Sequence, residues 1–233
     1  MTNLILIPGL LCNESLYQPV IKECKNNYEI QIADVSSFKS IEDCAKAVCS
    51  NVSKDVVLVG FSFGAWVALH SYSLLQQYCK GLILISSAPG NLKVSTEQRF
   101  LHYINEISSG NFEAFIDEDY EQDISPKNKM NVKLKEALFT MMRNQGENVA
   151  INQLKALLEF KSGFVSLNEI KCPTLLIRGE DDKSLNIQKQ EKMLHEIPHA
   201  KLVVIPDAAH YVPIENPAVM AMEIDSWITD QGL

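Results

Sequence analysis

The sequence predicts an α/β fold: a parallel six-stranded sheet covered by helices on both faces, with one helical insertion. Three observations predict it. Short Val-, Ile- and Leu-rich runs recur six times, helix-like stretches separate them, and one long gap, between Ser87 and Lys171, carries no strand signal. Continuous apolar runs suit strands buried on both faces, and helical spacers suit right-handed crossovers between parallel strands.

The six runs are LILI (4–7), YEIQIA (28–33), DVVLVG (55–60), GLILIS (81–86), PTLLIR (173–178) and KLVVI (201–205). Start signals mark the helices between them. Ser40 with Asp43 three residues on opens one, and Asn216 followed by Pro217 reads as an N-cap and first helical residue before the pattern ending near Trp227 and Ile228. The gap reads as four helices, over 95–108, 111–118, 126–144 and 147–160. Ser95 with Gln98 resembles a capping box there, and Ser125-Pro126 and Gly146 bracket the third helix. The domain reading is therefore a core of 1–88 and 170–233, with a lid inserted over 89–169.

Composition narrows the partners. The 233 residues are 46% hydrophobic and 21% charged, enough to bury a real core. With 21 Lys and Arg against 29 Asp and Glu, the net charge of −8 disfavours nucleic acid and anionic membrane and leaves a small molecule as the expected partner. Cys12, Cys24, Cys44, Cys49, Cys79 and Cys172 are scattered without a CxxC pair, which suits free thiols in a reducing compartment. The opening MTNLILIPGLL lacks a basic leader and reads as a strand, and no apolar run is long enough to suggest a membrane span. A cytoplasmic location is the expectation.

Chemistry concentrates at Gly60-Phe61-Ser62-Phe63-Gly64, a G-x-S-x-G at a strand-to-helix junction. Such a turn strains the middle residue and leaves no space beside it, so Gly60, Gly64 and Ala65 let strand and helix pack while Ser62 stands exposed. The plainer alternative is a serine capping a helix. A hydroxyl attacks only once a base takes its proton and an acid orients that base. Among five histidines, His70 and His102 fall on helices, whereas His210 follows the last strand in IPDAAHYVPIENP, at the carboxyl edge where open parallel sheets gather their sites. In PTLLIRGEDDKS, Gly179 turns the chain so that Asp181 and Asp182 reach the same edge, and only one should point inward.

The segments LILIPGLLCNESLY, VLVGFSFGAW, IKCPTLLIRGEDD and VIPDAAHYVPIENP together resemble the α/β-hydrolase superfamily over nearly the whole chain. The resemblance implies a triad in the order Ser62, Asp182, His210. In relatives the acid stands three residues after the glycine ending its strand, which selects Asp182 over Asp181. It also implies an oxyanion hole from the backbone N–H groups of Leu10 and Phe63. Two positions depart from the usual pattern: Pro8-Gly9 replaces His-Gly, and Ala209 replaces the glycine before the histidine. Relatives commonly carry two further strands ahead of the one matching the first here, so six strands are expected, in the spatial order second, first, third, fourth, fifth, sixth.

The implied function is hydrolysis of a small carboxylic ester through an acyl-enzyme, without a cofactor. Enol-lactone hydrolysis, carbon–carbon bond hydrolysis and ligand reception with little turnover remain alternatives on the same fold. A serine at the elbow argues against aspartyl-intermediate relatives, and Trp66 replaces an arginine often found in menaquinone-pathway relatives. Phe112, Phe115, Leu138, Phe139, Met141, Met142 and Phe160 are candidates for an acyl pocket, though helical spacing suits them equally to core contacts. Lys127, Lys129, Lys133, Lys135 and Arg143 are either a solvated face or a dock for an ester carried on an acyl carrier protein. His195-Glu196-Ile197-Pro198-His199 matches the H-E-x-x-H zinc pattern, but Pro198 interrupts the continuous helix that pattern needs.

Overall fold

The computed structural model describes residues 1–233 apart from 89, 91, 161–165 and 186. Six strands form one parallel sheet: β1 (Thr2–Ile7), β2 (Tyr28–Ile32), β3 (Val56–Phe61), β4 (Cys79–Ile85), β5 (Thr174–Gly179) and β6 (Ala200–Ile205). Their order is β2-β1-β3-β4-β5-β6, the order expected from the resemblance. The central strands earn their continuous apolar character: every residue of β3 is buried. β2 and β6 each pair on one side only, and their exposure alternates or is mixed because an edge strand meets solvent.

Alternate residues of the strands build two cores. Leu4, Leu6, Val57, Val59, Ile83 and Ile85 face one side, with Val20 of α1 (Gln18–Glu23) and Met220, Ile224 and Trp227 of α10 (Pro217–Gln231). Ile5, Ile7, Val56, Leu58, Leu82 and Leu84 face the other, against α2 (Ile41–Cys49), α3 (Phe63–Leu75) and α8 (Ile187–Glu196). Ser40 caps α2 through a 3.1 Å bond from the Asp43 N–H, as the spacing predicted.

Between β4 and β5 the chain forms α4 (Val94–Ser108), α5 (Phe112–Asp123), α6 (Val132–Gln145) and α7 (Glu147–Glu159). Three local expectations need correction. Ser95 lies inside α4, whose N-cap is Lys93 and makes no side-chain cap. The third helix starts at Val132 rather than 126, because Asn131 supplies the cap that Ser125 does not, accepting from the Leu134 N–H at 3.2 Å. The second runs to Asp123 rather than 118, and that added length reaches the site. Of the remaining elements, α9 (Val212–Glu215) follows the histidine loop, and Asn216 and Pro217 take the N-cap and first helical positions of α10 as expected, although the Asn216 side chain donates to the Pro206 carbonyl and not to the helix.

Candidate active site

Ser62 sits between the end of β3 and the start of α3 with φ 50° and ψ −111°, a left-handed backbone that costs energy for any side-chain-bearing residue. What holds it there is crowding. A methyl on Gly64 would lie 2.1 Å from the Ile7 carbonyl oxygen, and one on Gly60 would lie 2.4 Å from the Gly64 carbonyl oxygen. Ser62 also donates its N–H to Ile85 at 2.9 Å, which ties the turn to β4.

His210 meets Ser62 from the loop after β6. Its Nε2 is 3.0 Å from Ser62 Oγ and its Nδ1 is 3.0 Å from Asp182 Oδ2. Asp182 stands in the turn after β5, and its other oxygen accepts the backbone N–H groups of Ser184 (3.0 Å) and Leu185 (2.9 Å). The two loops can approach because Gly179 lies between them: a methyl there would be 2.1 Å from the Ala209 carbonyl oxygen. Asp181 uses its backbone N–H on Ala208, and it is Asp182 whose side chain points inward.

Electrostatics follow from burial and from these neighbours. Burial opposes charge on Asp182, but His210 and the two N–H donors outweigh it and hold the carboxyl below its ordinary value. Burial likewise works against a charged His210, yet the carboxylates of Asp182, Asp123 and Asp119 raise it to about 9.

Asp119 and Asp123 lie in the last turns of α5, beyond the end that sequence signals gave that helix. The backbone oxygen of Asp123 accepts the His210 N–H at 3.0 Å, and its carboxylate accepts the Ser184 hydroxyl. Asp119 accepts the Tyr211 hydroxyl at 2.5 Å; burial, then the charge of Asp123, push its carboxyl up to about 7. Glu215 completes the tie between insertion and histidine loop, accepting from Ala209 N at 2.9 Å and from Ser125 N at 2.8 Å. Neither aspartate was marked by a motif, and the apolar period of α5 running past 118 was the available signal; Glu215 fell inside the VIPDAAHYVPIENP segment without being given a role.

Leu10 and Phe63 both line the pocket over Ser62. As the first residue of α3, Phe63 has an N–H with no helical carbonyl behind it to accept it. The Leu10 loop is braced from the insertion: Leu11, at φ 54°, donates its N–H to buried Gln153 at 2.9 Å.

The pocket holds about 190 Å³ and is walled by Trp66, Phe100, Tyr103, Leu154 and Leu157 besides polar groups. The seven apolar candidates named from the insertion are absent from this wall. They are buried in the two cores instead, with Phe160 edge-on to Trp66 at 6.1 Å. In the basic segment Lys127, Lys129, Lys135 and Arg143 pair with Asp207, Glu121, Asp117 and Glu113, so most of its charge is matched within the chain. The H-E-x-x-H run fails geometrically: α8 stops at Glu196 and His199 turns to φ 62°, so its histidines share no helix face. Among the described residues no cluster of His, Cys, Asp and Glu is arranged to hold a metal, and no helix is long and apolar enough to cross a membrane.

The strand-to-helix serine, the acid after β5 and the histidine after β6 define an α/β hydrolase. The chain belongs to the alpha/beta hydrolase family, whose sequence profile matches residues 30–223. Its relatives are esterases and other hydrolases. It is 21% identical over 235 residues to a pimeloyl-[acyl-carrier protein] methyl ester esterase of Vibrio vulnificus, covering 92% of this chain and 89% of that one. Its fold matches a thermophilic esterase from Thermogutta terrifontis, solved with malate bound, at a TM-score of 0.87 and 18% identity over 100% of this chain and 91% of that chain. It also matches the enol-lactonase from Burkholderia xenovorans LB400 at a TM-score of 0.83 and 12% identity, over 98% and 91% of the two chains.

Proposed function

We propose that this hydrolase cleaves a carboxylic ester through an acyl-enzyme on Ser62. His210 Nε2 takes the hydroxyl proton as Ser62 Oγ bonds to the acyl carbon, while Asp182 keeps the other ring proton on Nδ1 and stabilises the imidazolium. The N–H groups of Leu10 and Phe63 receive the negative charge that develops on the carbonyl oxygen; a donor of this kind contributes about 3 kcal/mol. The acyl–oxygen bond breaks, the alcohol leaves with the proton from His210, and water activated by the same ring releases the acid and restores Ser62.

The observation that carries this reading is the unbroken pair of 3.0 Å contacts from Ser62 through His210 to Asp182. Hydrolysis of p-nitrophenyl acetate and butyrate by the wild-type protein and by Ser62→Ala tests it, together with fluorophosphonate labelling and mapping of the modified residue. The reading expects turnover lost in Ser62→Ala and the label on Ser62. Turnover that survives the substitution, or a label elsewhere, ends it.

One second reading has an observation of its own: the Vibrio relative is named for a methyl ester on an acyl carrier protein. Under it, a carrier-bound methyl ester is turned over with a lower KM than the free acyl methyl ester. Equal KM values for the two would remove it.

A further inference from the structure

The pocket over Ser62 contains more charge than ester hydrolysis needs. Arg99 of α4 lines it, and its Nε is buried without a hydrogen-bond partner among the described residues. None of the ion pairs among the described residues includes Arg99, although its field lowers the carboxyl values of both Asp119 and Asp123. Those carboxylates are engaged elsewhere, Asp119 by the Tyr211 hydroxyl and Asp123 by Ser184. A sequestered guanidinium N–H left without an acceptor is costly, and such groups gather where a ligand completes them.

Three further groups that line the pocket add to this. Ser86, at the end of β4 with φ 46°, is 2% exposed, lines the pocket, and leaves its hydroxyl without a partner among the described residues. Lys93, at the start of α4, and Lys189, on α8, come from different segments to line this pocket. They are near enough that Lys93, after burial, depresses the ammonium of Lys189. The acids that also line the pocket cancel less of this positive charge than their number suggests, since burial holds the Asp119 proton up to about 7.

We propose that Arg99, with Ser86, Lys93 and Lys189, forms an anion subsite, and that the ester cleaved at Ser62 carries a carboxylate. This rests on the ester-hydrolase reading above. A substrate group that meets the guanidinium has to supply the acceptor it lacks, which a carboxylate does and an alkyl chain does not.

The test compares kcat/KM for esters that differ only in charge. One arm places the carboxylate on the acyl side: the 4-nitrophenyl half-esters of succinate, glutarate and adipate against the same compounds capped as methyl esters. The other places it on the alcohol side: 3-carboxyphenyl butyrate against 3-(methoxycarbonyl)phenyl butyrate. The wild-type protein should prefer the acid over its capped twin by about tenfold in at least one arm, which also identifies the side that carries the charge. Arg99→Gln should bring that ratio close to one, and Arg99→Lys should restore part of it. A wild-type ratio near one in both arms, or a preference that Arg99→Gln leaves intact, overturns the proposal.

A second measurement requires no variant. Inhibition of p-nitrophenyl butyrate hydrolysis by free succinate, glutarate or adipate should exceed that by the matching diamide by about tenfold if the acyl arm shows the preference. If the alcohol arm shows it, 3-hydroxybenzoate should exceed 3-hydroxybenzamide by the same factor. Acid and amide inhibiting alike counts against the subsite. The two levels separate cleanly: turnover that depends on Ser62 without any acid preference sinks the subsite alone, whereas turnover independent of Ser62 sinks the ester-hydrolase reading and the subsite with it.

Discussion

Replacing Asp182 by Asn tests the site at its most constrained point. The two carboxylate oxygens have different duties: Oδ1 accepts two backbone N–H groups, from Ser184 and Leu185, while Oδ2 faces His210 Nδ1 at 3.0 Å. An Asn side chain must put its oxygen where the two N–H donors point, because an NH₂ there would face donors. Its NH₂ is then directed at Nδ1. The ring must accept at Nδ1, so its proton moves to Nε2, the atom 3.0 Å from Ser62 Oγ, and it no longer has a lone pair for the serine proton. Turning the amide over restores the tautomer only by opposing like groups at Ser184 and Leu185. The expected loss in kcat is ~10³ to 10⁴, about 4 to 5.5 kcal/mol of transition-state stabilisation, with KM little changed. Steady-state hydrolysis of p-nitrophenyl butyrate measures it. Asp181→Asn is the control and should stay within about twofold. An Asp182→Asn enzyme within tenfold of wild type would refute the argument from tautomers.

The pH profile offers a second check: His210 must be neutral to act as base, and its raised value, about 9, puts the rising limb of kcat/KM on the alkaline side of neutrality. Removing one of the charges that raises it, in Asp123→Asn, should move that limb to lower pH; a limb that stays put or moves up would contradict the assignment. Gly179→Ala places a methyl 2.1 Å from the Ala209 carbonyl oxygen, so melting and kcat should fall together, with about 1 to 3 kcal/mol of stability lost in thermal or urea unfolding. Asp119 keeps its proton up to about 7 when folded but releases it near 4 when unfolded, so folding loses stability as pH rises through that window and stays penalised above it. Asp119→Asn keeps an acceptor for Tyr211 without the charge. Its unfolding free energy, measured in urea, should therefore exceed that of wild type at pH 8 by about 1 to 3 kcal/mol and match it near pH 4.

The sheet was legible because burial on both faces writes itself into consecutive residues: VVLVGF and GLILI have one physical explanation each, and both are central strands. The three residues proposed for catalysis were marked in the sequence for a related reason. Ser62 is marked by the glycines that its strained turn demands, and Asp182 and His210 each follow a strand end that the apolar pattern locates. Caps were less so. Ser95 and Ser125 have the right chemistry for helix starts, but the chain begins those helices elsewhere, since a cap depends on the backbone direction before it as well as on the side chain.

By itself, the sequence determined the order of strands, the strained serine and the two loops that bring an acid and a base to one edge of the sheet. Only the folded chain decided which groups of the insertion face that edge. Seven apolar residues of the insertion turned into the cores, while Arg99, Asp119 and Asp123 turned toward Ser62, and Glu215 and Gln153 fastened the surrounding loops. The physical reason is reach. Helical periodicity records that a face is buried but not against what, and a hydrogen bond between residues separated by 142 positions, such as Leu11 to Gln153, leaves no pattern in either neighbourhood.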